Sequence, residues 1–137
     1  MVDIARLIEA AAFTDLDREF FRFLAEHTGE PAAALAGALA SSRVGAGDTC
    51  LDLASVAGKT LGDALGAAAS GDDPLLAETL PDGKRWFAAL GKSGIAGAPG
   101  EMRPLVLDGA GRLYLYRYWQ YEKSLADMIR MLQSQRL

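Results

Sequence analysis

PLVLDGAGRLYLYR, residues 104–117, is the stretch on which the fold turns. Two short runs of β-prone residues, Leu105–Leu107 and Leu113–Tyr116, flank Asp108-Gly109-Ala110-Gly111. Two glycines beside an aspartate supply the positive φ of a tight connection, so the stretch reads as a β-hairpin. Side chains alternate across a strand, which puts Leu113 and Leu115 on one face and Arg112, Tyr114 and Tyr116 on the other.

Downstream, residues 117–135 read as a helix, with Tyr118, Tyr121, Leu125, Met128, Ile129 and Leu132 along one stripe. Trp119, Glu122 and Arg130 lie elsewhere around it. Upstream, residues 3–44 read as three helices. Asp3 caps the first, which carries Ile4, Leu7, Ile8 and Ala11 at helical spacing. Thr14 opens the second with Asp17 as the acid of a capping box. Its apolar stripe is Leu16, Phe20, Phe23, Leu24 and His27, and Gly29 stops it. Pro31 stands where a third helix begins, with Leu35 and Leu39 one turn apart. Short connections between them imply an antiparallel cluster.

Between these ends the pattern weakens. DTCLDLAS, residues 48–55, reads as a short strand or an extended connection. Nine of the fifteen glycines fall between Gly58 and Gly100, so the middle reads as loop around two short helices, Leu61–Ala69 and Lys84–Leu90. The expected fold is therefore one mainly α (α+β) domain over residues 1–137. It comprises an N-terminal three-helix cluster, a Gly-rich middle and a C-terminal hairpin followed by a helix.

Composition narrows the function. The net charge of -4 argues against a dedicated nucleic-acid surface, which ordinarily clusters Lys and Arg. From Arg103 onward, six Lys/Arg stand against three Asp/Glu; before it, eight stand against fifteen. An acidic body with a basic, aromatic end suggests a protein contact. No apolar run approaches the ~20 residues of a membrane span. A single cysteine, Cys50, permits no internal disulfide, which favours a reducing cytoplasm.

The segment VAGKT, residues 56–60, ends as a nucleotide-binding P-loop ends. A P-loop needs a glycine five residues before Gly58, and Leu53 stands there instead. Gly58, Lys59 and Thr60 are accordingly read as a decoy, with Thr60 and Asp63 capping a helix. His27, the only histidine, has no cysteine nearby and no ordinary zinc set. Cys50 reads as a small hydrophobe without a base partner. Asp72-Asp73 reads as a solvated turn lacking the other oxygen ligands of a calcium loop. No catalytic, cofactor-binding or metal residue is expected. What remains is the basic and aromatic group at 112–121. Arg and aromatic side chains interleaved in this way dominate protein-interface hot spots and also stack single-stranded bases. Tyr118 and Tyr121 are assigned to packing, while Tyr114, Tyr116 and Trp119 are candidates for contact with a partner.

PLVLDGAGRLYLYRYWQYEKSLA, residues 104–126, resembles the end of the N-terminal domain of the exodeoxyribonuclease V alpha subunit family, RecD. GDTCLDLA, residues 47–54, is similar to a cysteine-containing segment of that family, and the order of the FFRFLAE helix, Trp86 and the hairpin fits as well. The resemblance implies the domain that docks this subunit to its gamma partner (RecC), and indirectly to the beta subunit (RecB), with DNA reached through the full complex. It implies that the ATP- and magnesium-dependent 5′ to 3′ helicase motor lies beyond Leu137, and that no catalytic residue carries over. On the hairpin and the helix after it, Arg112, Tyr114, Tyr116, Arg117, Trp119 and Glu122 are the candidate partner-binding residues. A single-stranded nucleic-acid-binding module built on the same group is the alternative.

Overall fold

A computed structural model of the chain describes residues 4–66, 71–97, 103–115, 129 and 131. The expected helix at 117–135 and four of the candidate residues, Tyr116, Arg117, Trp119 and Glu122, lie outside the described residues, apart from two helical positions, 129 and 131. The described part is α+β, as the sequence pattern predicts.

The first helix, α1 (Ile4–Leu7), is a single turn. The second, α2 (Asp15–Thr28), begins at Thr14, whose side chain accepts from the Asp17 amide while Asp17 accepts from the Thr14 amide, closing the expected capping box. It ends at Gly29, at φ 66 in the left-handed region. Arg18 ties α2 to the turn that follows α1 by donating to the carbonyls of Ile8 (3.1 Å) and Ala10 (2.9 Å). With α3 (Pro31–Gly45), α1 and α2 form the expected N-terminal helical cluster, in which α2 and α3 pack as an αα-hairpin and the short α1 lies against α3.

The centre of the molecule is α3. Every residue from Ala33 to Ala40 is buried, because α2, the later helix Gly83–Ser93, the sheet and the short helices pack around it. A helix that is apolar all round belongs in a core, and its small side chains let neighbours approach closely. At Gly37 the approach is extreme: a Cβ there would overlap Leu24 Cδ1.

The course of α2 differs from its expected stripe. The side that packs on α3 carries Asp17, Phe21 and Leu24, whereas Leu16 and Phe23 are exposed. Pattern reading keeps a carboxylate out of a core. Asp17 is buried because its oxygens are satisfied by the Thr14 amide (2.9 Å) and the Ser41 hydroxyl (2.6 Å).

Beyond α3 the chain runs β1 (Leu51–Asp52), α4 (Leu53–Val56) and α5 (Leu61–Leu65), then a 3₁₀ turn Pro74–Ala77 and α6 (Gly83–Ser93). Three strands follow: β2 (Ala96–Gly97), β3 (Leu105–Leu107) and β4 (Arg112–Leu115). They form one sheet with β1 in the order β1-β4-β3-β2. The hairpin pairs Leu105 with Leu115, Val106 with Tyr114 and Leu107 with Leu113. Antiparallel β1 pairs Leu51 with Leu113, and parallel β2 pairs Ala96 with Leu105.

Part of the Gly-rich middle, among the described residues, pairs with itself. Residues 58–61 and 78–81 run side by side, tied by Leu80 N to Lys59 O (2.7 Å), Leu61 N to Glu78 O (2.9 Å) and Gly58 N to Pro81 O (2.8 Å). Leu80, Trp86, Leu90 and Ile95 add to the core, and Trp86 Nε1 donates to Ala32 O (2.7 Å), fixing α6 to the first turn of α3. Pairings this short carry no period that sequence reading can detect.

Candidate functional site

The two segments singled out by sequence meet in space. Because Leu51 pairs with Leu113 in an antiparallel register, Cys50 falls beside Tyr114. Tyr114, Arg112 and Asp108 complete a cluster on the sheet face away from Leu113. The pairing that brings Cys50 into the cluster is non-local and has no signature within either segment.

Asp108 organises the cluster. Its carboxylate accepts from the amides of Ala110 (2.9 Å) and Arg112 (3.0 Å), from Arg112 Nε (3.0 Å) and, more weakly, from the Tyr114 hydroxyl (3.5 Å). Burial would raise this acid, but the Arg112 and Ala110 amides and the Arg112 guanidinium outweigh it and hold the carboxyl below the ordinary range. Burial pushes the Tyr114 hydroxyl up, helped by the neighbouring Cys50 and opposed by Arg112. The nearby Tyr114 and Asp108 raise Arg112 further, keeping it cationic.

The turn itself is built around Gly111, the hairpin glycine with positive φ (82°). Gly109, expected to share that role, does not take a positive φ. A Cβ at Gly111 would lie 2.8 Å from Ala54 Cβ, and the Gly111 carbonyl accepts from the amides of Leu53 (3.1 Å) and Ala54 (3.3 Å). The hairpin tip is thereby locked to the start of α4.

Of the candidate residues, the structure places two. Arg112 is surface-accessible, its side chain 51% exposed. Tyr114 is only 6% exposed, so most of it is enclosed by the chain's own packing. Expected to share an open face with Arg112, it instead packs beside Val106, which is fully buried. The cluster has the character of a brace for a hairpin with one cationic edge.

At VAGKT, Leu53 is a buried core residue opening α4. The amides of Gly58, Lys59 and Leu61 donate to Pro81, Val56 and Glu78, and that of Thr60 to Asp63. Thr60 caps α5 in a second capping box with Asp63. These amides are committed within the chain, whereas a phosphate cradle has its amides converge on the ligand. Beside Gly58 opens a cleft of about 670 Å³, with Ile4, Ala32 and Pro81 in its walls. The charged groups near its rim pair with one another, Arg6 with Glu78 (3.5 Å) and Arg85 with Asp82 (3.6 Å). His27 is exposed on α2, its ring tilted against that of Phe23 at 4.3 Å between ring centres. Among the described residues no group of three His, Cys, Asp or Glu side chains is arranged to hold a metal ion, and no helix is long and apolar enough to cross a membrane.

These features define a small α+β domain organised around a buried alanine-rich helix and a hairpin anchored by an aspartate. Residues 9–114 match the family model described as RecBCD enzyme subunit RecD, N-terminal domain, and the chain belongs to that family. The match runs from the end of the first helical region to Tyr114 and takes in the hairpin and the Cys50 segment. Comparison with curated proteins gave no match.

Proposed function

We propose that the chain is the assembly domain of the alpha subunit of an exodeoxyribonuclease V-type helicase-nuclease, docking that subunit onto its gamma partner (RecC) and thereby beside the beta subunit (RecB). The observation that carries this reading is the family match over residues 9–114. The acidic balance of the body supports a protein partner over a phosphate track. The committed amides around Gly58 support a non-catalytic role. On this reading ATP and magnesium are taken by motor domains outside this chain. DNA is met by the whole complex, in the cytoplasm, during double-strand-break repair and recombination.

The test is co-purification. The chain, expressed with its cognate gamma subunit carrying an affinity tag, should be retained in stoichiometric amount. A folded chain that appears only in the flow-through would contradict the reading.

A further inference from the structure

Two features of α6 work against its own stability. Lys84 and Arg85 occupy its first turn, where the helix dipole disfavours cations, and that turn holds no acid. Gly91 lies in the last turn, where alanine would hold the helix better. Nothing within the chain uses its missing side chain. Gly91 does not take a positive φ, and a Cβ there would meet no atom within 4 Å. Gly37 and Gly111, by contrast, are each demanded by a close neighbour.

These residues share the solvent side of the helix. Lys84, Ala88 and Lys92 follow one another at four-residue intervals, Arg85 and Gly91 lie alongside, and all five are exposed. Trp86 and Leu90 bury the opposite side. The solvent side stays positive after its ion pairs are taken into account. Arg85 pairs with Asp82 (3.6 Å). At the hairpin tip, where Phe87 reaches Gly111, Arg112 pairs with Asp108 (3.0 Å). Among the described residues Lys84 and Lys92 have no ion-pair partner. Residues 1–82 hold five Lys/Arg against fourteen Asp/Glu, and residues 83–137 nine against four, so α6 opens the cationic part of an acidic chain.

We infer that the Lys84–Ala88–Gly91–Lys92 side of α6 is the surface on which the partner subunit docks, and that the partner meets it with an acidic segment. Its Asp or Glu side chains face Lys84 and Lys92, which stand roughly 12 Å apart along the helix. Charge complementarity of this kind selects the partner and sets its register. Ala88 and Gly91 leave no bulk between the two lysines, so the partner's backbone can come close there. The inference rests on the proposed assembly role and gives that role a place and a chemistry.

The experiment uses the full-length alpha subunit and its cognate gamma subunit, reading the dissociation constant of the purified pair at low and at high salt. The double variant Lys84→Glu, Lys92→Glu should weaken association by ~10-fold or more at low salt, the cost of placing like charges together. That loss should shrink at high salt. Gly91→Gln should weaken association by ~10-fold at both salt concentrations, because it obstructs the approach sterically. Its melting temperature should equal or exceed that of wild type, since the site is open and glutamine is the better helix former. The milder pair Lys84→Gln, Lys92→Gln replaces the charge reversal should that misfold. Association that is unchanged in both the lysine and the Gly91 variants overturns the inference and leaves the assembly role standing. Absence of wild-type association overturns the assembly role and the inference with it. Unchanged association with gamma, together with single-stranded DNA binding that the lysine variants abolish, would assign the surface to nucleic acid and overturn the partner assignment.

Discussion

The carboxylate of Asp108 holds Arg112 twice, accepting from its backbone amide and from its Nε, each at 3.0 Å. One side chain therefore fixes both the path of the hairpin and the direction of its cationic edge. Asp108→Asn keeps the shape and removes the charge. It should destabilise the chain by about 1–3 kcal/mol, the worth of hydrogen bonds made to a charged group, measurable by denaturant unfolding.

The pH dependence of that difference follows from the depressed acidity of Asp108. A carboxyl whose folded value lies below its unfolded value of about 3.9 contributes fully above that value and loses its contribution as pH falls through the folded one. The stability gap between wild type and Asp108→Asn should thus be constant from pH 5 to pH 7, values that lie above the reference range. It should close as pH drops below about 4. Asp73, lowered by the amides of Ala11 and Leu75, acts in the same direction. A gap that instead widens on acidification would contradict the assignment.

Gly111 and Gly109 differ in what they must do. Gly111→Ala meets both a left-handed backbone and the Ala54 Cβ, and should cost about 2 kcal/mol or more. Gly109→Ala meets nothing within 4 Å and should stay within about 0.5 kcal/mol of wild type. Melting curves of the two variants side by side test the geometry of the turn.

At Gly37 the α2–α3 contact admits no side chain. Gly37→Val should lower stability by about 1–3 kcal/mol through overpacking against Leu24. An unfolding free energy equal to wild type would show that the helices stand further apart than described here.

Thr60 and Lys59 separate a helix cap from a phosphate cradle. Thr60→Ala should cost about 1 kcal/mol, the usual value of a lost N-cap. Lys59→Ala should leave stability unchanged. Calorimetry of the chain with ATP and magnesium should show no binding heat; heat abolished by Lys59→Ala would restore the P-loop reading.

How legible these features were depended on how local their causes are. The Thr14–Asp17 and Thr60–Asp63 boxes, the Gly29 stop and the hairpin around Asp108 are written within a few neighbouring residues, and each was read from sequence. The β1–β4 and β2–β3 pairings join residues far apart in the chain through two-residue strands, too short to show alternation. The buried side of α2 departs from its apolar stripe because a satisfied acid, Asp17, sits in the core while Leu16 and Phe23 remain outside. The same competition explains Tyr114, expected on an open face with Arg112 yet enclosed beside Cys50 and Val106.

The proposed docking to the gamma subunit is tested by titrating the purified chain against its cognate gamma subunit and following the mixture by sedimentation velocity. A saturable one-to-one complex is the expected result. A chain that is folded by circular dichroism and sediments independently of gamma at every concentration would contradict it.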